Sequence, residues 1–209
     1  MACIAKKLAG AALGAVVGDA LGAAVEGHGP ADVAKTFGPL GCRAHRAAAH
    51  MGVYHLGERR GCYTDDTNSA VAMLRSLVAL RRVDGGDIAY RHARQWLDGY
   101  ALGFVRGYPD SAQKMMLATL DGKTAHQCAT IAFPTGSYAN GAAMKVWPLA
   151  LAMHDTTAVG PDAFYGAVAA SCCFSHCHPQ AIDAAASLGE AIRWALRWTP
   201  PVEAGAPAP

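Results

Sequence analysis

Glycines stand at positions 10, 14, 18 and 22 of an otherwise apolar stretch covering residues 8–26. A spacing of four is the neighbour spacing of an α-helix, so four positions without side chains share one face. Such a face admits close approach by another helix. Each glycine also costs about 1 kcal/mol of helix stability relative to alanine, so tertiary packing has to compensate. The first element is therefore a helix that persists only in a packed context. Apolar residues recur at helical spacing through most of the 209 residues, and no convincing run alternates as a half-buried strand would. The fold class expected is all-α, with helices in close contact because alanine and glycine dominate the apolar fraction.

Gly27, Gly29 and Pro30 end the first helix. A loop rich in glycine, histidine and arginine is expected to run from there to Tyr63. The next helix starts at Thr64, places Val71, Leu74, Leu77 and Val78 on one face, and closes with Arg81 and Arg82. Asp87 is a candidate cap for a third helix reaching Trp96 and Leu97. Further helical pieces are expected at residues 111–120, 139–153, 162–173 and 179–198, the last with proline in its first turn. The proline-rich residues 200–209 read as a disordered tail. Neither a linker nor a repeat interrupts residues 1–199, so a single domain is expected there.

A net charge of +2 with no run of like charges leaves no groove for nucleic acid, and no such partner is expected. Seven cysteines cannot all pair within one chain, and their scatter is unlike a disulfide framework. A reducing, cytoplasmic setting is the simplest expectation. Lys6 and Lys7 ahead of the apolar stretch mimic an export signal or a spanning helix. Asp19 and the glycines make that stretch a poor membrane segment, so no membrane partner is expected either.

Thr64-Asp65-Asp66-Thr67 carries the most chemical information. Capping explains one such residue at a helix start. A second adjacent aspartate adds repulsion unless a cation neutralises it, and hard oxygen ligands suit Mg²⁺ or Mn²⁺. Capping and metal binding both remain open from spacing alone. Asp19 and Glu26 lie seven residues apart and share a helix face. Glu26 falls at the helix C-terminus, where the dipole disfavours its charge. Asp19 reads as a structural acid, Glu26 as the better catalytic candidate.

The small-residue stretch 136–144 offers backbone N–H groups that favour phosphate, with Ser137, Asn140 and Tyr138 as further contacts, but from these residues alone an ordinary tight helix entry is the favoured reading. Cys172, Cys173, His176, Cys177 and His178 do not have the spacing of a structural zinc frame, and core packing is the favoured role for the cysteines. His176 remains a candidate ligand contact. His45, His50 and His55 form no usable pattern.

Together these pieces resemble the ADP-ribosylglycohydrolase family, which includes the dinitrogenase reductase-activating glycohydrolases. Gly18-Asp19-Ala20-Leu21-Gly22 followed by Glu26 is similar to the family's first motif. The stretch from Gly61 to Thr67 resembles its first metal motif, Gly136 to Met144 its ADP-ribose loop, and Ser175-His176-Cys177-His178-Pro179 its later histidine motif. All four occur in family order. The resemblance implies a compact orthogonal helical bundle, magnesium dependence, and hydrolysis of the glycosidic bond between ADP-ribose and a modified protein side chain. It implies Thr64, Asp65 and Asp66 as magnesium ligands and Glu26 as the catalytic carboxylate. It implies Gly136, Ser137, Tyr138, Ala139 and His176 as ADP-ribose contacts. No second Asp- and Thr-rich run follows Pro179, Ala139 stands where glycine is common, and Lys145 replaces a frequent arginine. The chain thus reads as a C-terminally shortened member with a doubtful second metal site. The alternative to a hydrolase is a catalytically impaired ADP-ribose-binding or structural homologue.

Overall fold

Capping chemistry sets where the helices begin. The computed structural model describes residues 4–23, 25–38 and 62–199. Their helices are α1 (Ile4–Gly22), α2 (Pro30–Phe37), α3 (Asp65–Leu80), α4 (Gly85–Ala101), α5 (Asp110–Leu120), α6 (Ala125–Thr130), α7 (Trp147–Ala152), α8 (Pro161–Cys172) and α9 (Pro179–Arg197). Thr64 caps α3 and Asp84 caps α4, each accepting from a backbone N–H of the first turn. Thr124 and Gln127 form a reciprocal capping box on α6. Prolines open α2, α8 and α9, where a missing N–H costs nothing. Among the described residues there is no strand, and the fold is all-helical.

The core lies where α3, α4, α5, α7, α8 and α9 meet. Met73 of α3, Ile88 and Trp96 of α4, Met116 of α5, Leu149 of α7, Phe164 and Val168 of α8 and Ile182 of α9 fill it. Ala70, Ala72, Ala93 and Ala185 are wholly buried between them, the small contact residues that the composition anticipates. Gly189 is needed for this packing, because a Cβ there would lie 2.5 Å from the Phe164 ring.

α1 is held differently. None of its residues is buried, and Leu13 and Val17 are 66% and 54% exposed. Its glycine face does not receive another helix: among the described residues nothing comes within 4 Å of a Cβ built at Gly10, Gly14, Gly18 or Gly22. Polar groups fix it at two points instead. Lys7 Nζ donates to the carbonyls of Leu196 and Trp198, at 2.8 and 2.7 Å, at the C-terminal end of α9. The Asp19 carboxylate accepts from the backbone N–H groups of Thr64 and Thr67, both at 3.0 Å, at the start of α3. A cation thus meets the negative end of one helix dipole and an anion the positive end of another.

Other boundaries differ from the sequence expectation. α1 stops at Gly22, so Glu26 lies in the turn that follows rather than on the helix. Pro30 starts α2 within the segment expected to be loop, and α6 is an additional short helix. Asp87 is the third residue of α4, not its cap; its carboxylate instead accepts from Ser76 and Arg91. The helix expected over 139–153 is a 3₁₀ turn, Asn140–Ala142, then a break, then α7. His45, His50, His55 and the tail 200–209 lie outside the described residues. Among the described residues no helix is long and apolar enough to cross a membrane.

Candidate active site

The N-terminus of α3 brings four carboxylates together. Asp19 reaches it from α1, Glu26 from the turn beyond, and Asp65 and Asp66 are its first residues. Thr64 is buried and extended, with its hydroxyl 2.6 Å from Asp19 Oδ1. The peptide entering the helix is secured from the other side: Asp65 N–H donates to the Arg106 carbonyl at 2.8 Å. Arg106 in turn donates to the Tyr63 carbonyl and lies 3.7 Å over the Tyr63 ring. The bend that turns its carbonyl to Asp65 places Arg106 at φ 57°, a conformation rarely adopted by a residue with a side chain.

Consecutive residues of a helix point about 100° apart, and here that divides the two aspartates between two hollows. Asp65 lines an apolar cavity of about 150 Å³. Asp66 lines a neighbouring open groove of about 440 Å³, together with Asp19, Glu26 and Thr64. Asn140 and Met144 line both and form the rim between them. Asp65 is pushed up to about 7, first by burial, then by the charge of Asp66, with Glu26 and Asp19 adding to it. Asp66 is raised by burial, then by the charge of Asp19. Glu26 is raised by partial burial, then by Asp66 and Asp19. The cluster is short of positive charge.

These residues fit a hard divalent cation. The single proton of the Thr64 hydroxyl goes to Asp19 at 2.6 Å, so the contact of 3.1 Å between Thr64 Oγ1 and Asp66 Oδ2 brings two lone-pair-bearing oxygens together. A cation, or a proton on Asp66, relieves that repulsion. Among the described residues no three or more Asp, Glu, His or Cys side chains converge into a complete ligand set. The donor set is therefore two carboxylates and a hydroxyl, which suits an ion such as Mg²⁺ that keeps several waters.

The cavity's other wall comes from the small-residue loop and the histidine segment. Gly136, at φ 84°, is buried so close to the later segment that a Cβ would lie 2.5 Å from Cys177 Sγ and 2.8 Å from His178 N. Ser137 Oγ accepts from Ala139 N–H at 3.2 Å. Ala139 has φ −66°, so alanine is unstrained where the family pattern has glycine. Ser137, Ala139, Asn140, Gly141 and His176 all line the cavity; Gly136 and Tyr138 do not. Tyr138 is 72% exposed outside it, edge-on to His178. The loop leads into a single 3₁₀ turn rather than a helix, so no helix dipole serves this wall.

Sequence reasoning passed over much of the cavity floor. Lys145 is wholly buried there, donates to Ser175 Oγ at 2.6 Å and lies 4.6 Å over the Phe174 ring. His92 is buried beside Ser69 and Tyr108, with Nε2 2.9 Å from Ser69 Oγ and Nδ1 unpartnered. Burial keeps His92 neutral, the charge of Lys145 adding to the effect. A polar stripe on an otherwise apolar helix, Asn68, Ser69 and Ser76 on α3, was the available signal. Of the three cysteines near His176, Cys172 is buried, Cys173 and Cys177 are half-buried, and among the described residues the cysteines are free. His178 caps α9 by accepting from Gln180 N–H.

The family model described as ADP-ribosylglycohydrolase matches residues 3–208. The chain belongs to the ADP-ribosylglycohydrolase family. It is 32% identical over 184 residues to the ADP-ribosyl-[dinitrogen reductase] glycohydrolase of Rhodospirillum rubrum, an alignment covering 88% of this chain and 55% of the relative. The chain therefore spans about half the length of that curated relative. In this chain the first acidic motif, the small-residue loop and the histidine segment converge around two hollows that share one rim.

Proposed function

We propose that this chain binds ADP-ribose across the two hollows and hydrolyses the bond between the ribose anomeric carbon and a modified protein side chain. The shared rim carries this reading: Asn140 and Met144 border both the acid-lined groove and the cavity walled by Ser137, Gly141 and His176. A ligand with a pyrophosphate between two sugars is long enough to occupy both. In the cavity, loop N–H groups and His176 meet phosphate oxygens, while Tyr138 offers an exposed ring to a base from outside. In the groove, the reacting ribose lies over Glu26 and Asp66. The raised Glu26 carboxyl holds and returns a proton more readily near neutrality than a free glutamate, and its position beside solvent lets it orient a water. Asp19 fixes Thr64 and so the first turn of α3. Thr64, Asp65 and Asp66 would hold Mg²⁺, whose role is to orient ribose and water and offset developing charge. The modified partner is an ADP-ribosylated protein, and residues 1–199 act as one domain.

A second reading, ADP-ribose binding without turnover, is favoured by one feature. Among the described residues there is no second acidic cluster to complete a metal pair. One experiment separates the two. Calorimetry with ADP-ribose and with Mg²⁺, followed by release of labelled ADP-ribose from modified protein, should show binding and Glu26-dependent release. Binding without release supports the second reading. Absence of ADP-ribose binding, or Mg²⁺ binding unchanged in Asp65→Asn/Asp66→Asn, overturns the site.

A further inference from the structure

We infer that Lys145 is a positioning residue: through the Ser175 hydroxyl it fixes His176 as the tautomer that presents Nε2–H to the cavity. Use of that N–H in ligand recognition rests on the ADP-ribose reading, but the tautomer itself does not.

The argument is one of proton counting. An ammonium has three donors and no acceptor, so the 2.6 Å contact runs from Lys145 Nζ to Ser175 Oγ. Ser175 keeps one hydrogen to donate. Its choices are His176 Nδ1 at 3.0 Å and the Cys172 carbonyl at 3.4 Å. The shorter contact has ordinary hydrogen-bond length and the longer sits at its limit, so the hydrogen goes to Nδ1. An accepting Nδ1 leaves the ring proton on Nε2. A second proton is opposed by burial and by the nearby Lys145 charge.

The rest of the ring's surroundings give that proton a direction. No described residue pairs with His176 Nε2, and the ring lies against Gly141, where a Cβ would come within 2.7 Å of Nε2. The open nitrogen therefore faces the cavity beside the small-residue loop. Lys145 is itself wholly buried and seated on Phe174. The outcome is a fixed neutral donor suited to an oxygen acceptor, such as a phosphate or carbonyl oxygen, and unsuited to a metal ion at Nε2.

Long-range ¹H–¹⁵N correlation on the full chain with ¹⁵N-histidine, without ligand at neutral pH, reads the tautomer directly. The His176 signals are assigned by their loss in His176→Gln. The expected wild-type pattern is a single neutral form with Nε2 protonated and Nδ1 bare. Ser175→Ala and Lys145→Met should each lose that single form and give a tautomer mixture. If Lys145→Met does not fold, Ser175→Ala, which deletes one oxygen, still tests the relay, since the hydrogen-bond path from Lys145 to His176 runs through that hydroxyl. A wild-type proton on Nδ1, an imidazolium, or an unchanged Nε2–H form in either folded variant overturns the inference. Because no ligand is present, failure of ADP-ribose binding leaves this result intact and is recognised separately.

Discussion

Asp19→Ala tests whether α1 is held by its polar ends. The carboxylate accepts from Thr64 N–H, Thr67 N–H and the Thr64 hydroxyl. Hydrogen bonds to a charged group contribute about 1.5–3 kcal/mol each, but these three share one carboxylate and are not additive. The freed N–H groups stand at a helix start, where water recovers part of the loss; removing an N-cap side chain costs about 0.5–2 kcal/mol. The expected net loss is about 2–3 kcal/mol, between one charged bond and two. α1 has no buried residue to offset it. The helix should therefore detach before the bundle unfolds. Hydrogen exchange read by mass spectrometry should show α1 peptides exchanging about 30- to 150-fold faster, the factor corresponding to that loss, with α4 and α9 peptides unchanged. Asp19→Asn, which keeps one acceptor oxygen, should fall between. Unchanged α1 protection in Asp19→Ala, or loss of protection only together with the whole bundle, would refute the reasoning and place α1's attachment in apolar contacts.

Three further outcomes follow from the same geometry. Asp65 is raised from 3.8 to about 7, so across that interval the folded metal-free chain holds a proton that the unfolded chain has released. Asp65's own contribution to stability should fall as pH rises from about 4 to about 7, while buried neutral His92 and His176 contribute in the opposite sense, so the stability of Asp65→Asn relative to wild type in urea melts should rise over that interval; a difference independent of pH contradicts the burial. Gly141→Ala places a Cβ 2.5 Å from the His176 ring, which should cost about 1–3 kcal/mol in thermal melts as overpacking does and abolish ADP-ribose binding; retained affinity would remove His176 from the ligand wall. Glu26 is exposed in a turn, so Glu26→Gln should leave stability within about 0.5 kcal/mol of wild type while ADP-ribose release is lost; equal release in both would deny Glu26 its role.

The all-helical class was legible because helical periodicity repeats over many turns and survives local error. The site's outline was legible for another reason. Paired acids at a helix start and a run of small residues each violate what a purely structural segment needs. Less legible was anything that depends on which groups lie opposite one another. The Gly10–Gly14–Gly18–Gly22 face reads as a packing surface by spacing, yet among the described residues nothing packs on it. Lys7 and Asp19, single polar residues with no pattern, attach the helix instead. Asp84 and Asp87 are equivalent caps by residue type, and only the path of the chain selects Asp84. Lys145 stood out only as a substitution for arginine. Its burial over Phe174 and its contact with Ser175 join segments 30 residues apart, which no local window contains.

The division of Asp65 and Asp66 between two hollows bears on how recognition and chemistry depend on one another. The cavity is walled by residues from α4 to the segment before α9, together with Asp65 and Ser69 of α3. The groove depends on α1, on the turn carrying Glu26, and on Asp19 holding both to α3. If the proposed reading holds, recognition rests on the packed core, whereas Glu26 rests on an attachment made by a few polar contacts. Loosening α1 should release Glu26 from the reacting ribose without disturbing His176 or the small-residue loop. On the proposed reading, the fold separates ADP-ribose binding from its hydrolysis along one seam, the first turn of α3, where adjacent aspartates line different hollows. On that reading a loosened α1 would cost turnover at the seam and leave a binder, a second route to binding without turnover beside an incomplete metal site.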